Sequence, residues 1–329
     1  MDSTRLFSSI TKHSGNLSSK SAVDILGILF FILSIAYLMY KLVTFQQYAE
    51  LAGQISQMHE SHAWWLVGVI ALLPLNWLLE AMKWRMLTSR VQKISLKTAV
   101  KAVLSGISTG FFTPNRVGEL VGRIAFLDPE HRKAGVTLSI INSLTQNIVM
   151  ALYGIPACIL FFSYTSGLQQ DIIRYVSITL IGILVVGIIY FTMPRWSRQL
   201  KSGSLSVRIK TFTDCLSVYN LKDLIHILVV SLFRYVVFCM QFYFMLRFFN
   251  IALTPWQALI SIPTTYLFVT FTPSLAFSEA AVRSSFSVLV IGAFSDQVVN
   301  IALAGICIWA INFIVPMLIG SVVMIKKSV

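Results

Sequence analysis

Two short segments of this chain place a carboxylate and a guanidinium four residues apart, just behind a proline. The first reads Phe112-Thr113-Pro114-Asn115-Arg116-Val117-Gly118-Glu119-Leu120-Val121-Gly122-Arg123. The second reads Phe271-Thr272-Pro273-Ser274-Leu275-Ala276-Phe277-Ser278-Glu279-Ala280-Ala281-Val282-Arg283. Each runs Phe-Thr-Pro, a short gap, a small residue and Glu, then Arg, and the copies lie about half a chain apart. A Glu and an Arg at i and i+4 share one helix face, with the acid N-terminal, the favoured order for an ion pair. Pro114 and Pro273 are read as helix breaks, so each Glu is expected near the start of a new helix, where backbone N–H groups are unpaired and the dipole is positive. The chemistry on offer is recognition of a polar anion. Mutual neutralisation of the two pairs for packing is the alternative.

The setting of these residues follows from composition. Of the 329 residues 56% are hydrophobic and 12% charged, with a mean hydropathy of +0.77, against about 25% charged in soluble domains. Half the usual charge cannot clothe a water-facing surface of this size, so the chain is read as an all-α polytopic membrane protein. The 26 Lys and Arg against 13 Asp and Glu leave a net charge of +13. No basic stretch is interleaved with aromatics, so nucleic acid is not expected as a partner. Cytoplasmic loops and anionic lipid head groups explain the excess instead. Cys158, Cys215, Cys239 and Cys307 form no CxxC pair and are read as packing residues.

Six full transmembrane helices are expected, at Val23 to Val43, Ala63 to Met82, Val136 to Ser163, Ile172 to Met193, Leu224 to Phe248 and Val298 to Ile325. Residues 1–22 form a polar cytoplasmic tail and 23–329 a single integral membrane domain. Two further apolar regions, 99–127 and 256–294, are interrupted by Pro114 and by Pro263 and Pro273. Broken backbone at membrane depth is tolerated only inside protein or beside a wet cavity, so each is read as a re-entrant helical hairpin. The basic loop 194–222 and the Lys and Arg after the second helix fix the orientation, with both termini cytoplasmic. The halves 23–163 and 172–329 then form an inverted repeat, each with one hairpin, as in alternating-access transporters.

Other residues could join the two motifs. Arg116 stands in the first break, and Arg234 lies ten residues into the fifth helix, too deep to snorkel easily. A planar guanidinium suits phosphate, but Arg234 could equally pair with Glu119 or Glu279. Asn142 and Gln146, at i and i+4, line the same cavity or bond between helices. Asn76 and Glu80 share a face of the second helix, and Glu80, beside Lys83 and Arg85, is read as a solvated interfacial acid. Gly106-x-x-x-Gly110 and Gly118-x-x-x-Gly122 point to close contacts inside the first hairpin. The five histidines form no ligand set, so no metal is expected, and no nucleotide loop or hydrolase elbow is found, so no cofactor is expected.

The runs from Leu75-Asn76-Trp77 to Lys83-Trp84-Arg85, from Gly110 to Arg123, and from Pro273 through Glu279 to Arg283 resemble the lysylphosphatidylglycerol synthase transmembrane-region family. This group is also called the flippase-like domain family, and the resemblance spans nearly the whole chain from about Val23. The second motif departs from the family's Gly-x-Gly-x-Arg-Glu-like pattern, with Ser278, Ala281 and Ser284. The resemblance implies movement of an anionic, aminoacylated or polyprenyl-phosphate-linked lipid between leaflets, in a bacterial inner membrane. The sequence ends at Val329, so the aminoacyl-transferase domain of bifunctional members is expected to be absent, and the synthase activity is not carried over with the resemblance.

A lipid translocase is therefore the main expectation, with Arg116, Arg123, Arg234 and Arg283 on a phosphate head group and Glu119 and Glu279 positioning or competing for them. Two alternatives stand beside it. One is a membrane-embedded glycosyl or aminoacyl transferase using Asp128 or Glu130 as base. The other is a non-transporting partner of a lipid-synthesis enzyme.

Overall fold

A computed structural model of the chain describes residues 60–111, 113, 116–166, 172–200, 213–272 and 276–328. The expected first crossing, the N-terminal tail, Pro114, Pro273 and the middle of the basic loop lie outside the described residues. All regular structure among the described residues is helical. We label the helices α1 (Glu60–Thr88), α2 (Leu96–Gly110), α3 (Glu119–Ile124), α4 (Arg132–Ser166), α5 (Ile172–Leu200), α6 (Leu221–Phe248), α7 (Pro255–Phe271), α8 (Ala276–Ile291) and α9 (Val298–Ser328).

Five of these, α1, α4, α5, α6 and α9, are long and apolar enough to cross a membrane. The remaining four fall short: at 1.5 Å per residue helices of 15, 6, 17 and 16 residues do not reach through about 30 Å of hydrocarbon. They occupy the two proline-bearing regions, a pair in each. Capping residues set where they start. Ser95 Oγ accepts from the Thr98 backbone N–H at 3.1 Å to open α2, and a reciprocal pair between Thr254 and Gln257 opens α7 ahead of Pro255. Pro263, expected to interrupt the second region, sits buried inside α7 instead. A membrane helix tolerates proline where its neighbours cover the freed backbone, and α4 packs there, with Gly154 against the Pro263 carbonyl.

The α2/α3 pair is held by glycine. A Cβ at Gly122 would run into the backbone carbonyl of Ser105, and one at Gly118 into that of Thr109, so the two helices lie antiparallel with their backbones nearly touching. Helix α9 closes on the same place, with Gly320 against the Leu104 carbonyl and a hydrogen bond of 2.7 Å between the Ser108 and Ser321 hydroxyls. Small residues allow this approach where lipid supplies no hydrophobic drive between helices.

Helices α1 and α6 form the central pair of the molecule. One apolar cluster gathers Val69 of α1, Tyr235, Phe242 and Met245 of α6, and Tyr266 of α7 with Ile301 and Ile308 of α9. A second joins Trp84 and Leu87 of α1 to Val103, Leu138, Ile141, Tyr190, Leu224 and Ile227. Where α1 ends and α6 begins, Arg90 grips the Asp223 carboxylate at 2.9 and 3.1 Å, and the Tyr219 hydroxyl donates to the Leu87 carbonyl. Burial raises the Tyr219 phenol above its ordinary range. Both clusters thus draw on α1 and α6, and the polar residues of the next subsection lie between them.

Overpacking at a backbone contact costs about 1–3 kcal/mol, and Gly182 of α5, by contrast, faces open space. Gly122→Ala is expected to lower the thermal unfolding midpoint of the detergent-solubilised protein. Gly182→Ala is expected to stay within about 0.5 kcal/mol of the parent; equal midpoints for all three proteins would show that the α2/α3 contact does not constrain the fold.

Candidate functional site

A cavity of about 450 Å³ opens between α1, α3, α4, α6, α7, α8 and α9. All eight residues singled out in the sequence, Arg116, Glu119, Arg123, Asn142, Gln146, Arg234, Glu279 and Arg283, line it. Its floor is a carboxylate that the sequence reading placed elsewhere. Glu80 of α1, expected as a solvated interfacial acid, is 2% exposed. Its carboxylate meets Arg123 at 2.7 Å, Arg234 at 3.0 Å and Lys83 at 3.1 Å and accepts from the Asn142 amide at 2.7 Å. Proximity to Lys83 and Arg85 along the chain pointed to solvent. In space Arg85 is exposed, whereas Lys83 turns inward and is wholly buried.

Lys83 was not anticipated as part of the site. Its ammonium lies within reach of the Glu80 carboxylate, the Asn142 carbonyl at 3.3 Å and the Gln146 side-chain carbonyl at 3.4 Å. Three acceptors match the three N–H donors of a charged ammonium. Asn76, one helical turn before Glu80, accepts from Arg234 Nε at 2.9 Å and donates to Asn312 of α9 at 3.3 Å. The spacing 76, 80, 83 along α1 was the available signal, three polar residues on one stripe of an otherwise apolar helix.

The two motifs meet across this cavity. Glu119 opens α3, and its i+4 partner Arg123 lies at 3.0 Å. Glu279 stands in the first turn of α8, with Arg283 at 2.9 Å. Arg116 links them: its Nη2 donates to both oxygens of Glu279, at 2.8 and 2.9 Å, while Nη1 lies 3.8 Å from Glu119. Arg116 occupies the left-handed backbone region at φ 58°, which costs a residue with a Cβ roughly 1–2 kcal/mol. The same conformation lays its guanidinium over the Phe313 ring at 3.6 Å, on a floor continued by Trp309 and Phe111.

Residues 25–320 match the family model described as lysylphosphatidylglycerol synthase TM region. The chain belongs to the lysylphosphatidylglycerol synthase transmembrane-region family. No curated protein matches it. Membership, with five helices suited to a bilayer, makes this an integral membrane protein with a role tied to membrane lipid.

The family match includes every residue of the cavity wall. Within that wall Asn142 and Gln146 do both things considered for them. They line the space, and they bond between helices, Asn142 to Glu80 and Gln146 to Lys83, Arg234 and the Ser231 carbonyl at 3.5 Å. Arg234 pairs with Glu80 at 3.0 Å; no direct ion pair to Glu119 or Glu279, the partners considered for it, is found. Asp128 and Glu130, the candidate bases of the transferase alternative, are exposed and stand outside the cavity, Asp128 bonded to Gln92 at 2.9 Å.

Removing one partner of a buried ion pair leaves uncompensated charge and costs about 3–5 kcal/mol. Glu80→Ala strands three cations and is expected to lower the unfolding midpoint more than any single change at the exposed Asp128. Thermal unfolding of the two variants in detergent checks this; equal midpoints would mean that Glu80 does not organise the site.

Proposed function

We propose that the protein is a translocase that carries a phosphate-bearing anionic lipid between membrane leaflets. The observation that carries this reading is the bond from Arg116 of the first motif to Glu279 of the second, made over a cavity of about 450 Å³ rich in guanidinium. A site that held phosphate by four arginines alone would bind it too well to release it. Glu119 and Glu279 offer those arginines another partner when the head group leaves, so the Arg116 pair alternates between protein and lipid. In this reading the pairs α2/α3 and α7/α8 are re-entrant hairpins from opposite faces, related as an inverted repeat. Their short lengths agree with that arrangement.

A lipid also needs a path for its acyl chains. Along α4, Ile140, Ser143, Leu144 and Asn147 share one exposed face, and Ser143 and Asn147 line the cavity. Val117 and Val121, 59% and 60% exposed, flank the Glu119 side. A head group inside with tails against these apolar side chains leaves no polar atom in hydrocarbon. In this reading Asn142 and Gln146 serve the polar wall, and the protein sits in a bacterial inner membrane with both termini in the cytoplasm. A lipid-synthesis enzyme is a natural partner as the source of cargo.

Each arginine removed from a charge-assisted contact is worth about 1.5–3 kcal/mol, hence roughly tenfold or more in rate. In proteoliposomes carrying fluorescent phosphatidylglycerol, Glu119→Gln, Arg123→Ala and Arg283→Ala are expected to slow loss of the inner-leaflet signal by about that factor. Wild-type rates in all three, with unaltered unfolding midpoints, would remove the translocation reading and favour the partner role.

A further inference from the structure

We infer that the lipid head group this cavity accepts carries adjacent hydroxyls beyond its phosphodiester, as a glycerol or a sugar does, and that Ser143 and Asn147 of α4 recognise them. The assignment rests on the head-group reading above. Both residues line the cavity and both are exposed. They stand one helical turn apart, on a face shared with the apolar Ile140 and Leu144, within the part of α4 long and apolar enough to span a membrane. Neither makes a hydrogen bond to any described residue.

Their surroundings set them apart. Other helical hydroxyls turn back to the carbonyl four residues earlier: Thr145 to Ile141 at 2.8 Å, Ser231 to Ile227 at 2.9 Å and Ser287 to Arg283 at 2.7 Å. Neighbouring amides of the cavity are engaged between helices, Asn76 with Arg234 and Asn312, and Gln146 with Lys83, Arg234 and Ser231. An unpaired carboxamide against hydrocarbon is costly, so this face of α4 is built to meet water or a ligand.

The chemistry of the free groups says which ligand. A carboxamide offers two N–H donors and a carbonyl acceptor, and a serine hydroxyl both donates and accepts. Phosphate oxygens only accept, so they leave the amide carbonyl unmatched. An ammonium only donates, so it leaves the amide N–H groups unmatched. Adjacent hydroxyls do both at once. Asn142, 3% exposed on the same wall, points the same way: its Nδ2 donates to Glu80 at 2.7 Å, and its Oδ1 is buried without a partner. That is an acceptor which a phosphate cannot satisfy and a hydroxyl can. The guanidinium groups hold the phosphodiester, and the α4 wall distinguishes what is attached to it.

The full chain in detergent is titrated calorimetrically with dioctanoyl phosphatidylglycerol, dioctanoyl phosphatidylmethanol, dioctanoyl phosphatidylethanolamine and water-soluble glycerophosphoglycerol. Phosphatidylmethanol carries the same phosphodiester charge as phosphatidylglycerol and no hydroxyl, so this pair isolates the diol. Phosphatidylglycerol is expected to bind at least about tenfold more tightly than phosphatidylmethanol, about 1.4 kcal/mol. Asn147→Leu is expected to bring phosphatidylglycerol down to the level of phosphatidylmethanol, and Ser143→Ala to remove part of the difference. Equal binding of the two lipids by the wild type overturns the hydroxyl assignment and leaves the phosphate-lipid reading standing, and so does phosphatidylethanolamine binding as tightly as phosphatidylglycerol. A full preference kept by the Ser143→Ala, Asn147→Leu double variant overturns the role of this α4 face. Glycerophosphoglycerol binding as tightly as the lipid overturns the lipid source. No binding by any of these phosphodiesters overturns the head-group reading itself. The wild-type series decides these outcomes even if a variant does not fold.

Discussion

The structure is organised around one desolvated carboxylate. Glu80 sits almost fully buried on α1 and draws in a cation from α1 itself, one from α3 and one from α6. In a low-dielectric interior such pairs are worth having only when the geometry is close and the other lone pairs are satisfied. Here Asn142 supplies the remaining donor from α4. Four helices are thereby tied through a single side chain, at the level where the two apolar clusters divide. Glycine packing sets how closely the backbones approach, but the position of Arg123 and Arg234 relative to α1 is set by this carboxylate.

Around that centre the two motifs play unequal parts. Arg123 belongs to the buried hub, with Glu119 on its outer side, so the first motif is anchored. The second motif, Glu279 and Arg283, is linked to the first by Arg116, which is partly exposed and held in a left-handed backbone conformation over an aromatic ring. An ion pair at the rim, made by a residue with backbone strain, is more readily exchanged than one at the floor. That asymmetry gives the proposed alternation of partners a physical location.

Much of the site was legible in one dimension because charge is so scarce in this chain. An Arg or Glu inside an apolar run has few explanations, and all six chosen on that ground meet in one cavity with Asn142 and Gln146. Glu80 shows where the approach fails. Its neighbours in sequence include both Lys83 and Arg85, and the pattern cannot tell which face of α1 each occupies; in space one is buried and the other exposed. Lys83 was passed over for the same reason, since a basic residue near a helix end normally marks the interface. Pro263 failed differently. Its ring predicts a break, but a buried membrane helix can absorb the missing hydrogen bond.

Composition and spacing alone determined that the chain is helical and membrane-embedded, that two Glu-Arg pairs follow prolines, and that both pairs must be protected from lipid. These follow from the free energy of burying charge and backbone, which depends on residue type. Which carboxylate would serve as the common counter-ion, and which arginine would cross between the motifs, was decided only by the tertiary structure. Ion pairing falls off over a few ångströms, and the distance from Arg116 to Glu279, or from Glu80 to Arg234, is set by helix packing among residues more than a hundred positions apart in the chain.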